Sequence, residues 1–439
     1  MCSAQQLWAS STLPVKTNHA TILHMKRILL LLLIAVSPSL YAAPSTFSPT
    51  DWPAWRGLNG DGHAKAVKGL PVKWNDTQNV IWKAKLPGHG HSTPTIVGDR
   101  IYLATADIQE EIQSVICLSK DTGNFIWKSD IHKGNFVKGG NKHKSDAASA
   151  VVCDGTKLFV SFPNNNKIQT TALNLEGKVL WQTTISDYVI HQGFGTSPVI
   201  YRDVLISKAD SKKIGGAVVG LNKNTGKIIW KINRPKYPNY TTPVMVTAHG
   251  KKQMVFAGAE LITSIDPLTG KKHWEFPGST QECVATAVTD GKRIFVSGGW
   301  PKNHIAAIEA DGSGRITWQN TARVYVPSML MKEGHLYATM DAGFAACWDS
   351  ATGKELWKER LGGAFFASPV LVGERIYATN LAGKTFVYST NPKEFKLLAT
   401  NQLGNEVYAS PIVSGNRLFL RVAFKGKSRQ EFLYCIGAK

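Results

Sequence analysis

Histidine is the side chain best suited to move a proton or hold a transition metal near neutral pH. The stretch "GHGHS" at 88–92 puts His89 and His91 on the same side of an extended chain. His132, His143 and His191 follow in segments that read as loops. A metal centre needs three or four such ligands brought together, and no spacing here does that, so isolated loop histidines are the plainer reading. Oxygen ligands for calcium would come from Asp210, Asp341 and Asn380, which recur after similar strands. Capping a turn is the commoner duty of Asp and Asn at such places. No phosphate-binding glycine loop, HExxH or nucleophile elbow occurs, and no residue is assigned a catalytic role.

A repeat must position whatever chemistry there is. Thr-Gly-x-x-x-Trp occurs at 122–127, 225–230, 269–274 and 352–357, and two weaker copies keep the spacing, Gly177 to Trp181 and Gly314 to Trp318. From Trp127 the tryptophans Trp181, Trp230, Trp274, Trp318 and Trp357 fall at steps of 54, 49, 44, 44 and 39 residues. A period of this size marks a stacked or circular array. Upstream of each copy lies a hairpin that opens on a small residue and a proline: "STPTIVGDRIYLAT", "TSPVIYRDVLISKA", "ASPVLVGERIYATN" and "ASPIVSGNRLFLRV". Diverged hairpins begin at Ala148, Thr241, Ala285 and Pro327, giving eight. Each unit is then strand A, turn, strand B, loop, strand C, the glycine turn, and strand D with its tryptophan.

A lone four-stranded sheet leaves a face uncovered, so the units must stack. Radial repetition of four antiparallel strands is a β-propeller. The last unit, 409–437, stops before any strand D, whereas "NVIWKAKLPG" at 79–88 has a strand-D tryptophan, Trp82, and nothing before it. The expected fold is all-β: an eight-bladed propeller over 79–439, its last blade completed by the N-terminal strand so that no edge stays open. Strand D of the seventh unit lacks the tryptophan, which predicts less regular packing there.

In such a ring the D-to-A loops converge at one mouth of the channel. The residues just before each strand A are His91, Asp146, Phe194, Tyr240, Glu282, Tyr325, Phe365 and Tyr408, and they are expected to line it. Two duties are open to them: holding a ligand or peptide, or plugging the channel with bulky side chains.

The sequence has 439 residues and a formal net charge of +20. "MKRILLLLLIAVSPSLYAAPS" from Met25 has a basic start, a short apolar run and small residues before Ala42, which predicts a signal peptide at 25–42. Residues 1–24 are then an upstream extension and 43–78 an N-terminal segment. The mature chain would carry +17, be exported without a transmembrane anchor, and be monomeric. The lysines are dispersed without interleaved aromatics, so no nucleic-acid surface is expected. Cys117, Cys347 and Cys435 share one place in the repeat, six residues before the turn glycine, where other copies have Thr171, Gly220, Ser264 and Ile308. Such a small, buried slot predicts free thiols.

The tryptophan repeats and eight units resemble the pyrroloquinoline quinone (PQQ)-like β-propeller repeat proteins over about residues 50–438. The likeness is strongest to exported members whose mature part opens Trp-x-x-Trp-Arg-Gly-x-Asn-Gly-x-Gly, here Trp52, Trp55, Arg56, Gly57, Asn59, Gly60 and Gly62. The resemblance implies that Trp82, Trp127, Trp181, Trp230, Trp274, Trp318 and Trp357 dock between blades. It also implies two functional directions, quinoprotein dehydrogenases with PQQ and calcium, or non-enzymatic envelope scaffolds such as BamB. Dehydrogenases of the family carry an adjacent cysteine pair near the cofactor, and this sequence has none. The expectation is therefore a non-enzymatic envelope propeller with no cofactor, binding a protein or small-molecule partner. The alternative is a PQQ-dependent dehydrogenase of an alcohol or sugar.

Overall fold

The structure, a computed structural model, describes residues 47–438. The upstream extension and signal peptide expected at 1–42 lie outside the described residues. Eight antiparallel sheets follow one another, each with four strands in the order A-B-C-D, and the seventh gains a fifth strand. In blade 1 these are Thr95–Val97, Arg100–Asp107, Ile112–Ser119 and Phe125–Lys133. Strands B and C are covered on both faces by neighbouring blades, so Ile101–Ala106 and Gln113–Leu118 are buried throughout. Strand D is the outer edge and alternates between packed and exposed side chains.

The ring closes as the orphan strand requires. Val80–Leu86 pairs antiparallel with Arg429–Ile436, with Trp82 opposite Cys435 and Lys83 opposite Tyr434. Beside this seam the buried carboxylate of Glu431 accepts from Arg421 Nε at 2.6 Å and from the Gly90 amide at 3.1 Å. Arg421 in turn donates to Ala104 O at 2.8 Å, so the ion pair inside blade 8 is tied to blade 1 by hydrogen bonds from both of its members.

The repeat's two signature residues meet across blades. The Trp127 indole donates to Leu175 O at 2.9 Å, and a Cβ on Gly177 would lie 2.8 Å from that ring. Trp82, Trp181, Trp230, Trp318 and Trp357 make the same indole-to-carbonyl bond to the C–D turn of the next blade. The glycine is thus needed for its positive φ and also for the ring seated against it. Trp274 instead stacks on Phe276 at 5.8 Å. Opposite each tryptophan on strand C stands a small residue: Cys117, Ala172, Gly220, Ser264, Ala307, Cys347 or Cys435. This corrects the register read from sequence at two copies, Ala172 and Ala307 in place of Thr171 and Ile308, because the C–D turns there differ in length. Among the described residues, Cys117, Cys153, Cys283, Cys347 and Cys435 are buried and free.

Around the axis the starts of strand A make a girdle. The Ala150 amide donates to Ser197 Oγ at 2.9 Å and the Ser197 amide to Thr242 Oγ1 at 3.0 Å. Thr286, Ser328 and Ser368 amides donate likewise to Ser328, Ser368 and Ser410, each at 2.9 Å. At these five junctions a hydroxyl of one blade therefore satisfies its neighbour's buried amide.

Blade 7 has Ala399 opposite Val387, where the other blades have tryptophan. The gap is covered from the N-terminal segment: Trp74 is buried in the same cluster as Ala399 and stacks on Tyr377 at 6.3 Å. Asn401 fixes it, accepting from the Trp74 amide at 2.8 Å and donating to Val72 O at 2.9 Å. Upstream, residues 52–64 cross the end of the channel. Trp52 bridges Ile96 of blade 1, Pro53 O accepts from Cys153 of blade 2, and the Trp55 indole donates to Thr286 of blade 5 at 2.8 Å. Arg56 reaches Met329 O of blade 6 at 2.5 Å, and His63–Ala64 adds a parallel strand to Leu371–Val372 of blade 7. The motif Trp-x-x-Trp-Arg-Gly is an axial plug.

Candidate functional site

With one end plugged, the other mouth of the channel is a cup of about 460 Å³. Its floor is Trp55, and the girdle hydroxyls of Thr93, Ser197, Thr242, Thr286, Ser368 and Ser410 ring its wall. Of the eight residues expected at the mouth, His91, Phe194, Tyr240, Tyr325 and Tyr408 line this cup. They come from five blades and are brought together because each ends a D-to-A loop at the inner start of strand A.

The other three sit behind the wall. Glu282 is buried and supports one cup residue and one residue outside the lining: Tyr325 Oη donates to it at 3.1 Å, and His191 Nε2 lies 3.1 Å from its other oxygen. Asp146 is buried and held by Lys144 Nζ at 3.2 Å. Phe365 differs from the expectation. It is 0% exposed and packs in the blade interior against Phe386 at 6.0 Å. Its neighbour Phe366 lines the cup instead, since successive residues of an extended segment face opposite ways.

Tyr408 is the centre of an aromatic cluster. His91 stacks on it at 4.0 Å and 17°, His143 Nδ1 lies 2.8 Å from its hydroxyl, and the Phe366 ring is 5.7 Å away. Burial pushes the His91 pKa well below the ordinary histidine value, and Arg421, Arg429, His143 and His89 act in the same direction. His91 is therefore a neutral ring at physiological pH. Across the cup, burial raises the Tyr240 and Tyr325 hydroxyls, with nearby Glu282 adding to both. The Tyr240 hydroxyl accepts from the Gln192 amide at 3.2 Å. Asp341 accepts from the Tyr325 amide at 2.7 Å and the Val326 amide at 3.3 Å, while burial raises its pKa.

The residues missed from sequence are Trp55, Asn141, Gln192, Arg323 and Phe366, and His143 was read there only as a loop histidine. Phe366 was one position from the residue singled out, and Trp55 stood inside the quoted motif; the others carry no local pattern.

The oxygen ligands considered for calcium are otherwise engaged. Asp210 is buried between Lys208 at 2.7 Å and Arg234 at 3.1 Å. Asp341 caps the two amides above, and Asn380 accepts from the Lys384 amide at 2.9 Å. Among the described residues no group of three His, Cys, Asp or Glu side chains is arranged to hold a metal ion. A flat quinone such as PQQ needs an open slot between ring faces, and the parallel pair at this mouth, His91 and Tyr408, is already in contact. None of the five described cysteines lines the cup.

A family model described as outer membrane protein assembly factor BamB matches residues 57–187, 111–325 and 301–393. The outer membrane protein assembly factor BamB of Burkholderia pseudomallei (strain K96243) is 24% identical over 366 residues, 78% of this chain and 85% of that protein. A polyvinylalcohol dehydrogenase of a Pseudomonas species is 23% identical over 242 residues, which cover 51% of this chain and only 35% of that enzyme. Among solved structures, a europium-containing methanol dehydrogenase superposes with a TM-score of 0.63 at 12% identity, covering 86% of this chain and 90% of that one. Those likenesses establish the ring.

Proposed function

The chain belongs to the family described as outer membrane protein assembly factor BamB, and from that membership we propose a non-enzymatic propeller of the cell envelope that binds a protein partner or small ligand in the cup. One observation carries the reading. The cup is concave, aromatic and closed below, yet its ionisable groups are spent on one another: Glu282 on Tyr325 and His191, Asp146 on Lys144, Asp341 on two backbone amides. A pre-formed cavity that combines aromatic side chains with convergent polar groups suits binding. A general base needs a free, poised pKa within reach of a substrate. Export rests on the signal segment expected at 25–42, with a mature chain beginning near Ala43; among the described residues no helix is long and apolar enough to cross a membrane.

The test is a photo-crosslinking side chain placed at Tyr408 or Phe366 and irradiated in the native host, with a second series at exposed Lys354 on the opposite face. Adducts formed from the cup positions alone support binding there. Protein purified from the host with a bound quinone chromophore, oxidising an alcohol or sugar through a dye, would replace this reading with the dehydrogenase one.

A further inference from the structure

Trp300 is 56% exposed, more than any other large apolar side chain among the described residues. It sits in the loop between strands B (Arg293–Gly298) and C (His304–Glu309) of blade 5, on the same face as the cup. That loop is fixed at three points. The Glu282 amide donates to Trp300 O at 3.3 Å. Arg323 Nη1 donates to Asn303 Oδ1 at 3.1 Å. Gly299 lies against the Tyr325 ring so closely that a Cβ there would be 2.4 Å from it. Tyr325 and Arg323 both line the cup, and the guanidinium lies 5.4 Å over the Tyr325 ring. Trp300, Arg323 and Tyr325 are therefore one continuous surface running from the outer lip down into the cup.

Tryptophan, tyrosine and arginine are the side chains that dominate protein–protein binding energy. Held rigid in advance, they lose little freedom when a partner arrives. A molecule small enough to be enclosed by the cup would leave Trp300 uncovered, because Trp300 is outside the cup lining. The occupant must extend over the lip. Its charge follows from which groups face outward. The carboxylates of this mouth are turned to internal partners, and Glu260 beside it is engaged by the Gln281 amide at 3.1 Å. Lys302, Arg323 and Lys142 remain exposed. Resting on the binding reading above, we infer that the partner is an acidic protein segment that lays an apolar or aromatic side chain into the cup and covers Trp300.

The probe is a fluorescently labelled random copolymer of glutamate and tyrosine, followed by anisotropy at fixed salt, with a lysine–tyrosine copolymer as its counterpart. The acidic copolymer should bind and the basic one should not. Trp300→Ala and Arg323→Glu should each weaken binding about tenfold or more, and Tyr408→Ala on the far wall should weaken it too. Lys354→Glu makes the same charge change in a C–D turn on the opposite face and should leave affinity unchanged. Absence of acidic binding, preference for the basic copolymer, or an equal loss from Lys354→Glu and Arg323→Glu overturns the inference. If Tyr408→Ala alone weakens binding, the lip is wrong while the cup reading survives. If no mouth variant changes binding, both fail. Thermal melts of each variant exclude unfolding as the cause.

Discussion

The ring of Trp82 lies against Gly123 in the next blade: a Cβ on Gly123 would sit 2.6 Å from the indole, whose N–H donates to Lys120 O at 3.0 Å. The contact recurs from blade to blade, so the glycine and the tryptophan of the repeat are two halves of one joint, separated by a blade boundary. Gly123→Ala should then cost both backbone strain, at φ +73°, and a displaced indole, together roughly 2–4 kcal/mol. Gly98→Ala is the control. Its φ is +60° but nothing lies within 4 Å, so only strain of about 1 kcal/mol is expected. Denaturant unfolding of the two variants separates the terms, and equal losses would mean that the tryptophan joint contributes little. Trp357→Ala, which opens the joint from the other side, should cost roughly 3–5 kcal/mol.

Closure of the ring gives the second prediction. Without residues 79–86, the strand Arg429–Ile436 becomes an unpaired apolar edge, and such edges recruit other chains. The truncated protein should aggregate more than the full chain, read by light scattering. Glu431→Leu is the gentler probe. It leaves the buried guanidinium of Arg421 without its carboxylate and should cost about 3–5 kcal/mol.

Adjacent phenylalanines should behave in opposite ways. Phe365→Ala removes a fully buried ring and should lower stability by roughly 3–5 kcal/mol. Phe366→Ala should melt close to the parent and lose whatever the cup binds. Early melting of Phe366→Ala would make that ring a channel filler.

This pair also shows where the sequence stops being legible. The blades could be read because Trp-to-Gly spacing is local and periodic, and the strand-A hairpins because a small-x-Pro opening recurs at four of them; the girdle of hydroxyls was not foreseen. Strand alternation fixes which face a residue takes, but the D-to-A loops have no period, so Phe365 and Phe366 could not be ordered in advance. The plug was hidden for another reason. Trp55 meets Thr286 and Arg56 meets Met329 across 231 and 273 positions, and nothing near residue 55 announces such partners. Trp74 covering Ala399 is the same kind of long-range substitution, one blade's missing side chain supplied from outside the repeat.

His91 sets a pH dependence. Its folded pKa is depressed, so below the unfolded value of about 6.5 the unfolded chain takes up a proton that the folded protein does not. Stability should hold above that pH and fall as pH drops through it. His91→Phe keeps a ring on Tyr408 without the proton, and its stability should change less steeply between about pH 6.5 and 5. Parallel slopes for variant and parent would assign the acid sensitivity to other groups. His89, His132 and His304 are also depressed by burial and remain in both proteins.

The plug can be tested at Arg56. Its Nη2 donates to Asp61 O at 2.7 Å within the segment and to Met329 O at 2.5 Å in blade 6, so one planar group ties the crossing chain to the ring. Burial lowers its pKa to about 10, with Asp61 opposing, which leaves it charged at neutral pH. Both bonds come from one nitrogen, so a lysine ammonium could donate to the same two carbonyls, but from a flexible stem that does not fill the planar guanidinium's place. Arg56→Met should therefore release the segment, and Arg56→Lys should release it less completely. In limited proteolysis, new cleavage is expected within residues 47–63 while the ring from 79 onward stays resistant. Because Trp55 would leave with the segment, the cup loses its floor, and a ligand gripping Trp55 should bind less tightly in both variants. Cleavage spread across the blades would show instead that the plug is part of what holds the ring closed.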